Sequence, residues 1–233
     1  PVASVDSRLM NHGAEIVRAT MNRSIYAGPI LITLAYMGHM WELYAFWGWI
    51  GPFMVASTSL KTISANYAAA FGSQLAGFIV LVGVPAVWFW GVIADRVGRI
   101  KAIIMASLFS LVPEFFYGYL IDRTLVMLMG IGLWMGFWAV ADSAIYKAGL
   151  TEMVSPNLRG TFLGAQSAAG FGMTIVAPAV FGQILEYHNG KVAPVDASIW
   201  GPSFLSLGVG AMLAPIAATA LQRRLSVEQQ SRP

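Results

Sequence analysis

The chain has 233 residues, of which 57% are hydrophobic and 11% are charged. An ordinary soluble domain carries about 25% charged residues, so this composition excludes a water-facing globular protein and predicts that lipid is the main solvent. The sequence contains no cysteine, which excludes disulfides and thiolate metal sites. The net charge of +3 does not indicate nucleic-acid binding, because the basic residues stand at the ends of apolar runs and form no single patch.

Six apolar stretches follow one another along the chain. Each is close to or above the roughly 20 residues that a helix needs to cross the hydrocarbon core of a bilayer. The sequence therefore predicts an all-α membrane protein with a six-span bundle at 25–222, a linker or surface helix at 1–24 and a cytoplasmic tail at 223–233. The six stretches cover residues 25–57, 65–94, 102–120, 124–150, 159–186 and 196–223.

Basic residues are distributed unequally between the two sides of this predicted bundle. Ten lie on one side and three on the other, leaving aside Lys147 near a membrane boundary. The positive-inside rule places the richer side in the cytoplasm, so we expect a multi-pass protein of the cytoplasmic (inner) membrane with both termini inside. The ten are Arg8, Arg18, Arg23, Arg96, Arg99, Lys101, Arg159, Arg223, Arg224 and Arg232, and the three are Lys61, Arg123 and Lys191.

A glycine-, acid- and base-containing pattern occupies the short loop between the second and third stretches. It consists of Gly91, Asp95, Arg96, Gly98, Arg99 and Lys101. The two glycines permit a tight turn and a close helix approach, and an acidic residue is favoured near a helix N-terminus. The pattern resembles the signature loop of the major facilitator superfamily, although Ile100 stands where that family has a second basic residue. A generic positively charged turn is the alternative.

A second pair of charges points to the same family. Six residues separate Glu152 from Arg159 in the loop after the fourth stretch. This resembles the acidic-to-basic pair between the tenth and eleventh helices of the superfamily. The resemblance implies a charge network with Asp95 and Arg99 that locks a cytoplasmic gate; unrelated solvated charges are the alternative.

The first stretch carries His39 and Glu42 near its middle. They lie three residues apart and share one helix face, so His39 can serve as the partner of Glu42. An ionisable group inside a span is costly and marks a functional site or a structural pair. The surrounding His-x-Trp-Glu-Leu-Tyr string resembles the start of the second half in a bacterial branch of the superfamily. We predict a proton site or substrate contact; a structural pair and half of a di-metal site are the alternatives.

The fourth stretch places Met135, Trp138, Asp142 and Tyr146 on one face. The corresponding helix of the superfamily lines the central cavity, which makes Trp138, Asp142 and Tyr146 further proton or substrate candidates. Glu114 lies in the third stretch, whose family equivalent is peripheral, so we expect a structural role for it.

Paired glycines recur in the fourth and fifth stretches. Gly132 with Gly136, and Gly160 with Gly164, have the four-residue spacing that lets helix backbones approach closely. We expect both pairs to be packing sites.

The resemblance covers about residues 25–222 and implies one half, the C-terminal six-helix bundle, of a major facilitator superfamily transporter. It implies secondary active transport of a small solute by alternating access, coupled to protons, with no enzymatic activity, cofactor or metal. The partners are the solute, protons, the lipid bilayer and an N-terminal six-helix half from the same precursor or a separate chain. The alternative is a non-transporting membrane sensor or assembly scaffold. A rhomboid-type protease is disfavoured, because Ser167 lacks the Gly-x-Ser-x-Gly pattern.

Overall fold

The computed structural model describes the backbone of residues 2–62, 64–189 and 197–230, and the side chains of residues 26–62, 64–188 and 199–230. All regular structure in these ranges is helical. The α-helices are α1 (Val2–Ser59), α2 (Ala65–Leu81), α3 (Gly83–Val97), α4 (Arg99–Glu114), α5 (Leu125–Ala141), α6 (Ser143–Met153), α7 (Arg159–Asn189), α8 (Ala197–Ala211) and α9 (Leu213–Gln230). Short 3-10 turns cover Tyr117–Leu120 and Pro156–Leu158.

Local side chains and one glycine set several helix ends. The hydroxyl of Ser64 accepts a hydrogen bond from the Tyr67 backbone N–H at 3.3 Å and so caps the start of α2. Gly98 has a φ of 97°, a backbone conformation that side chains with a Cβ rarely adopt. It lets α3 end and α4 begin within one residue, which confirms the turn predicted there.

Four continuous helical stretches of the described chain are long and apolar enough to cross a membrane. They correspond to the second, fourth, fifth and sixth predicted spans, so the prediction of an all-helical, membrane-type protein is confirmed at this level. The third falls short because α4 has 16 residues, and the first carries the polar His39 and Glu42. Six spans therefore remain a prediction. The four stretches are Ala65–Val97, Leu125–Met153, Pro156–His188 and Ile199–Gln230.

Both predicted terminal segments are helical where the backbone is described. From Val2 onward the segment predicted as a linker or surface helix continues without a break into the first predicted span, within α1. At the other end, α9 extends to Gln230, so most of the segment predicted as a tail prolongs the last helix.

Contacts between helix ends define two ends of the bundle. At one end, Arg99 Nε lies 3.2 Å from Glu152 Oε1. At the other, Lys61 Nζ donates to the Ile121 carbonyl at 3.2 Å. We call these the Arg99 end and the Lys61 end.

Each end has its own buried apolar core. The Arg99-end core includes Ile32, Tyr36, Met40, Trp90, Ile103, Ala106, Ala141, Tyr146, Leu150 and Leu221. The Lys61-end core includes Ala45, Phe46, Phe53, Met54, Tyr117, Met135, Phe181, Trp200 and Phe204. The boundary between the two cores lies about halfway along the helices, and it positions the site described next.

Close backbone packing occurs at one of the two predicted glycine pairs. Gly132 and Gly136 lie against Ile79 of α2, and a Cβ at Gly136 would overlap the Ile79 carbonyl oxygen. A Cβ at Gly160 or Gly164 would meet nothing within 4 Å in the described structure. The packing prediction is therefore confirmed for the first pair and wrong for the second, because the described chain presents no helix to that part of α7.

Candidate functional site

Four ionisable side chains are buried together in the middle of the bundle. His39, Glu42, Glu114 and Asp142 are exposed by 2%, 3%, 1% and 2%. We call these four residues, with the adjoining Ser143 and Tyr146, the buried polar cluster. Because desolvation of charged groups costs several kcal/mol each on insertion scales, such a cluster persists only if its members neutralise one another or bind protons.

The buried polar cluster lies where the two apolar cores meet. Along α1, Met40 belongs to the Arg99-end core and Ala45 to the Lys61-end core, so Glu42 falls at the change. Along the fourth predicted span, Met135 belongs to the Lys61-end core and Ala141 to the Arg99-end core. The cluster is therefore far from both ends of the bundle.

His39 and Asp142 form a buried ion pair between α1 and the start of α6. The distance from His39 Nδ1 to Asp142 Oδ1 is 3.0 Å. The Tyr146 hydroxyl donates to Asp142 Oδ2 at 2.7 Å, and Ser143 Oγ lies 2.9 Å from His39 Nε2. Since an ionised carboxylate only accepts hydrogen bonds, Nδ1 carries a proton in this arrangement. Both oxygens of Asp142 and both nitrogens of His39 are thus engaged.

A break in the helix brings Asp142 to this position. Helix α5 ends at Ala141 and α6 resumes at Ser143, so Asp142 is the junction residue. Interrupted helices are tolerated at membrane depth where other protein groups satisfy the freed polar atoms. At this junction the Asp142 carbonyl accepts from the Ile145 backbone N–H at 2.9 Å, and the Asp142 carboxyl group bonds to His39 and Tyr146.

Two tyrosine rings pack beside the imidazole. The ring centroid of Tyr36 lies 6.0 Å from that of His39, and the centroid of Tyr146 lies 5.0 Å away. The two tyrosine rings are themselves 5.6 Å apart. The three rings form one packed group, and the low exposure of His39 and Asp142 strengthens the electrostatic interaction between them.

Glu42 and Glu114 form a second, unbalanced part of the cluster. Their carboxyl groups lie close enough for the two charges to interact strongly. Glu42 Oε1 and both carboxyl oxygens of Glu114 are buried without a hydrogen-bond partner of good geometry in the described residues. The His39 ring is in electrostatic contact with Glu42 but is already bonded to Asp142. One imidazole, which can carry a single positive charge, thus faces three carboxyl groups, and proton binding is the direct way to neutralise the remainder.

The contacts of His39 and Glu42 differ in part from those predicted from the sequence. His39 and Glu42 interact electrostatically as expected, but the residue that His39 contacts directly is Asp142. The neighbour of Glu42 is Glu114 from α4. A helix face predicted from one segment cannot show which residue of another segment will lie opposite, and here two other helices supply the closer partners.

Trp138 belongs to a different group of side chains. Its ring packs against Trp90 and Phe109, with centroid distances of 4.8 and 4.7 Å. These rings connect α3, α4 and α5. Trp138 therefore contributes to an aromatic wall, whereas Asp142 and Tyr146 from the same predicted face join the buried polar cluster.

Two members of the cluster were not among the predicted site residues. Ser143 follows Asp142 directly, and its hydroxyl completes the contacts of His39. Glu114 was assigned a structural role, yet it is a carboxyl group isolated in an apolar stretch. That isolation was itself a signal, because a lone carboxyl group in such a stretch needs a partner or a proton.

The charged loop at the Arg99 end contains two of the predicted contacts. Arg99 is in ion-pair contact with Asp95, and its Nε donates to Glu152 Oε1 at 3.2 Å. Arg159 instead donates to the Thr151 carbonyl at 3.1 Å. The loop thus joins α3, α4 and α6 through one guanidinium.

The other loop residues are placed as follows. Arg96 and Lys101 are exposed at the same end. A Cβ at Gly91 would meet nothing within 4 Å, so the close helix approach expected there is wrong for the described chain.

The electrostatics of Arg99 favour its charged form. Partial burial lowers the pKa of its guanidinium, but the hydrogen bond and charge of Glu152, followed by the charge of Asp95, outweigh that effect and raise the pKa above its usual value. Arg99 therefore remains a fixed cation between two acidic residues.

No group of three or more His, Asp and Glu side chains in the described ranges is arranged to hold a metal ion. No protein-family model matches the sequence, and no curated protein matches it. The fold and the site together define the class of the protein: a helical membrane protein with a buried ionisable cluster halfway along its apolar helices.

Proposed function

We propose that this protein is the C-terminal half of a proton-coupled transporter of the major facilitator superfamily. In this proposal the chain crosses the membrane six times and moves a small solute by alternating access, with a second six-helix bundle from the same precursor or another chain. The buried polar cluster carries the proposal. Ionisable groups at the middle of apolar helices are characteristic of proton and substrate paths in membrane proteins.

Unequal neutralisation within the cluster supports a proton-carrying role. The His39–Asp142 pair is satisfied, whereas Glu42 and Glu114 share no further cation among the described side chains. A carboxyl pair of this kind retains a proton while it is dry and releases it when water enters. Rocking of one bundle against the other would alternately wet and dry such a site near the bilayer midplane, and this links proton occupancy to conformation.

The loop at the Arg99 end supports the choice of family and the orientation. Arg99 connects Asp95 and Glu152 across the predicted gate loops, at the end that also carries Arg96, Lys101 and Arg159. This basic end would face the cytoplasm under the positive-inside rule, in the inner membrane. In the inward-open state the Arg99 contacts would separate.

The test is proton movement in membrane vesicles from cells that express the protein from its own gene, so that any second bundle is present. An internal pH indicator is followed while small organic acids, amines and sugars are added one at a time. We expect at least one solute class to produce a pH change. Glu42→Gln, which retains the shape and removes the titration, should abolish that change while membrane insertion and helix content stay normal.

The matched control is Glu186→Gln. Glu186 is an exposed glutamate near the end of α7, outside the buried polar cluster. It should leave the pH response intact. A Glu42→Gln protein that moves protons at the wild-type rate would rule out Glu42 as the proton carrier, and vesicles that respond to no solute would argue against transport.

A further inference from the structure

A cavity of about 310 Å³ opens beside His39, on the face of the bundle formed by α1, α3, α6 and α7. Its volume is at the lower end of the roughly 300–1,000 Å³ that is usual for small-molecule sites. Aromatic side chains make up much of its wall: Tyr36, Tyr44, Trp47 and Phe171. Such a wall suits a flat, apolar ligand body.

The charge of the cavity wall is one-sided. Lys147 lines the cavity together with His39 and Ser143, and none of the described lining residues carries a carboxyl group. The Lys147 ammonium has no ion pair or hydrogen bond within the described side chains. The nearby acid Asp142 does not neutralise it, because both oxygens of Asp142 are bonded to His39 and Tyr146.

The polar groups of the wall converge. Ser143 and Lys147 are four residues apart on α6, so they lie on the same helix face. Ser143 also contacts His39 Nε2 at 2.9 Å. A hydroxyl, an imidazole edge and an ammonium therefore line a cavity whose remaining wall is aromatic and aliphatic.

Aromatic walls alone attract cations, but Lys147 repels them. Lys147 is exposed beside the cavity, and none of the described lining residues offers it an acidic partner, so its ammonium is free to meet a negatively charged ligand. We infer that the cavity binds a small aromatic carboxylate, with the carboxylate on Lys147 and Ser143 and the ring against Tyr44 and Trp47. This inference rests on the proposed transport function, for which it names the class of solute.

Binding to the purified chain in lipid nanodiscs tests the inference directly. Isothermal titration with benzoate, benzamide and benzylammonium compares one ring carrying a negative, a neutral and a positive group. We expect benzoate to bind at least about tenfold more tightly than benzamide, as is usual when a hydrogen bond to a charged group is gained. Benzylammonium should bind more weakly than either.

Variants at position 147 test whether the Lys147 ammonium causes the preference for benzoate. Lys147→Met removes the ammonium and keeps an apolar stem, so it should lower benzoate affinity to that of benzamide and leave benzamide unchanged. Lys147→Arg keeps the charge and should retain most of the preference, which shows that the site is still folded. Arg123→Met removes an exposed positive charge outside the cavity and outside the charged loop at the Arg99 end, so it is the matched control and should have no effect.

Several results would overturn the inference. They are equal affinities for benzoate and benzamide, tightest binding of benzylammonium, no binding of any probe, or a benzoate preference that survives Lys147→Met. The assay uses no proton gradient, so it separates the two proposals. Lys147-dependent benzoate binding without solute-driven proton movement would contradict transport alone, and proton movement without benzoate binding would contradict this inference alone.

Discussion

The His39–Asp142 pair should contribute measurably to stability, and a double-mutant cycle can isolate its coupling energy. The pair is 3.0 Å long and its two side chains are 2% and 3% exposed. Removing one member of a buried pair leaves an uncompensated charge and typically costs about 3–5 kcal/mol. His39→Gln leaves the Asp142 carboxylate in this position, so its cost should lie in that range.

Asp142→Asn should cost less, about 1–3 kcal/mol, because His39 can then lose its proton and become neutral. In the double variant no buried charge is left unpaired within this pair. The sum of the two single effects should therefore exceed the effect of the double variant by about 1–3 kcal/mol, well above the roughly 0.5 kcal/mol within which independent sites add.

Reversible unfolding in mixed detergent micelles, followed by tryptophan fluorescence, gives the free energy of unfolding of each variant. The chain offers a control pair in Arg224 and Glu228, which are 2.9 Å apart, four residues apart on α9 and partly exposed. Its cycle should give only about 0.3–0.5 kcal/mol. If the His39–Asp142 coupling is no larger than that of the control pair, the buried ion pair does not stabilise the fold as argued.

Two further predictions use matched variants. Gly136→Ala should lower the free energy of unfolding by about 1–3 kcal/mol because the new methyl group overlaps the Ile79 carbonyl, whereas Gly164→Ala, with open space around it, should have little effect; equal effects in unfolding assays would contradict the packing. Single cysteines at Asn157 and Asn66, both exposed and at opposite ends, should react with an impermeant thiol reagent from opposite sides of intact cells, and labelling of position 157 from outside would reverse the proposed orientation.

Most of what could be predicted from the sequence about the fold and the site came from its composition and from isolated polar residues in apolar stretches. Long apolar stretches indicated membrane-type helices, and ionisable groups inside them indicated His39, Glu42 and Asp142 as site candidates. The actual pairing could not be read in this way, because His39 and Asp142 are 103 positions apart and meet only through helix packing. The neighbours of Glu114 could not be predicted for the same reason, since another helix supplies Glu42.

Glycine spacing also shows that a sequence pattern does not identify the helix that packs against it. The four-residue spacing is identical in the pair Gly132–Gly136 and the pair Gly160–Gly164, yet among the described residues only the first pair has a helix packed against it. A small residue permits close approach but does not supply the partner. Sequence thus identifies faces that can pack, and tertiary structure decides which of them do.

The register between α1 and α6 explains why the ion pair forms where it does. A methyl group at Gly28 would lie 3.5 Å from Met153 Sδ, Ile32 fills the space beside Gly149, and His39 meets Asp142. Residue numbers rise along α1 and fall along α6 in this series, so the two helices are antiparallel. A shift by one residue would move His39 by about 1.5 Å along the axis and rotate it by about 100°, which would separate it from Asp142. The apolar contacts toward the Arg99 end therefore hold the polar contact in the middle, and any bundle movement that loosens the former would also alter the latter.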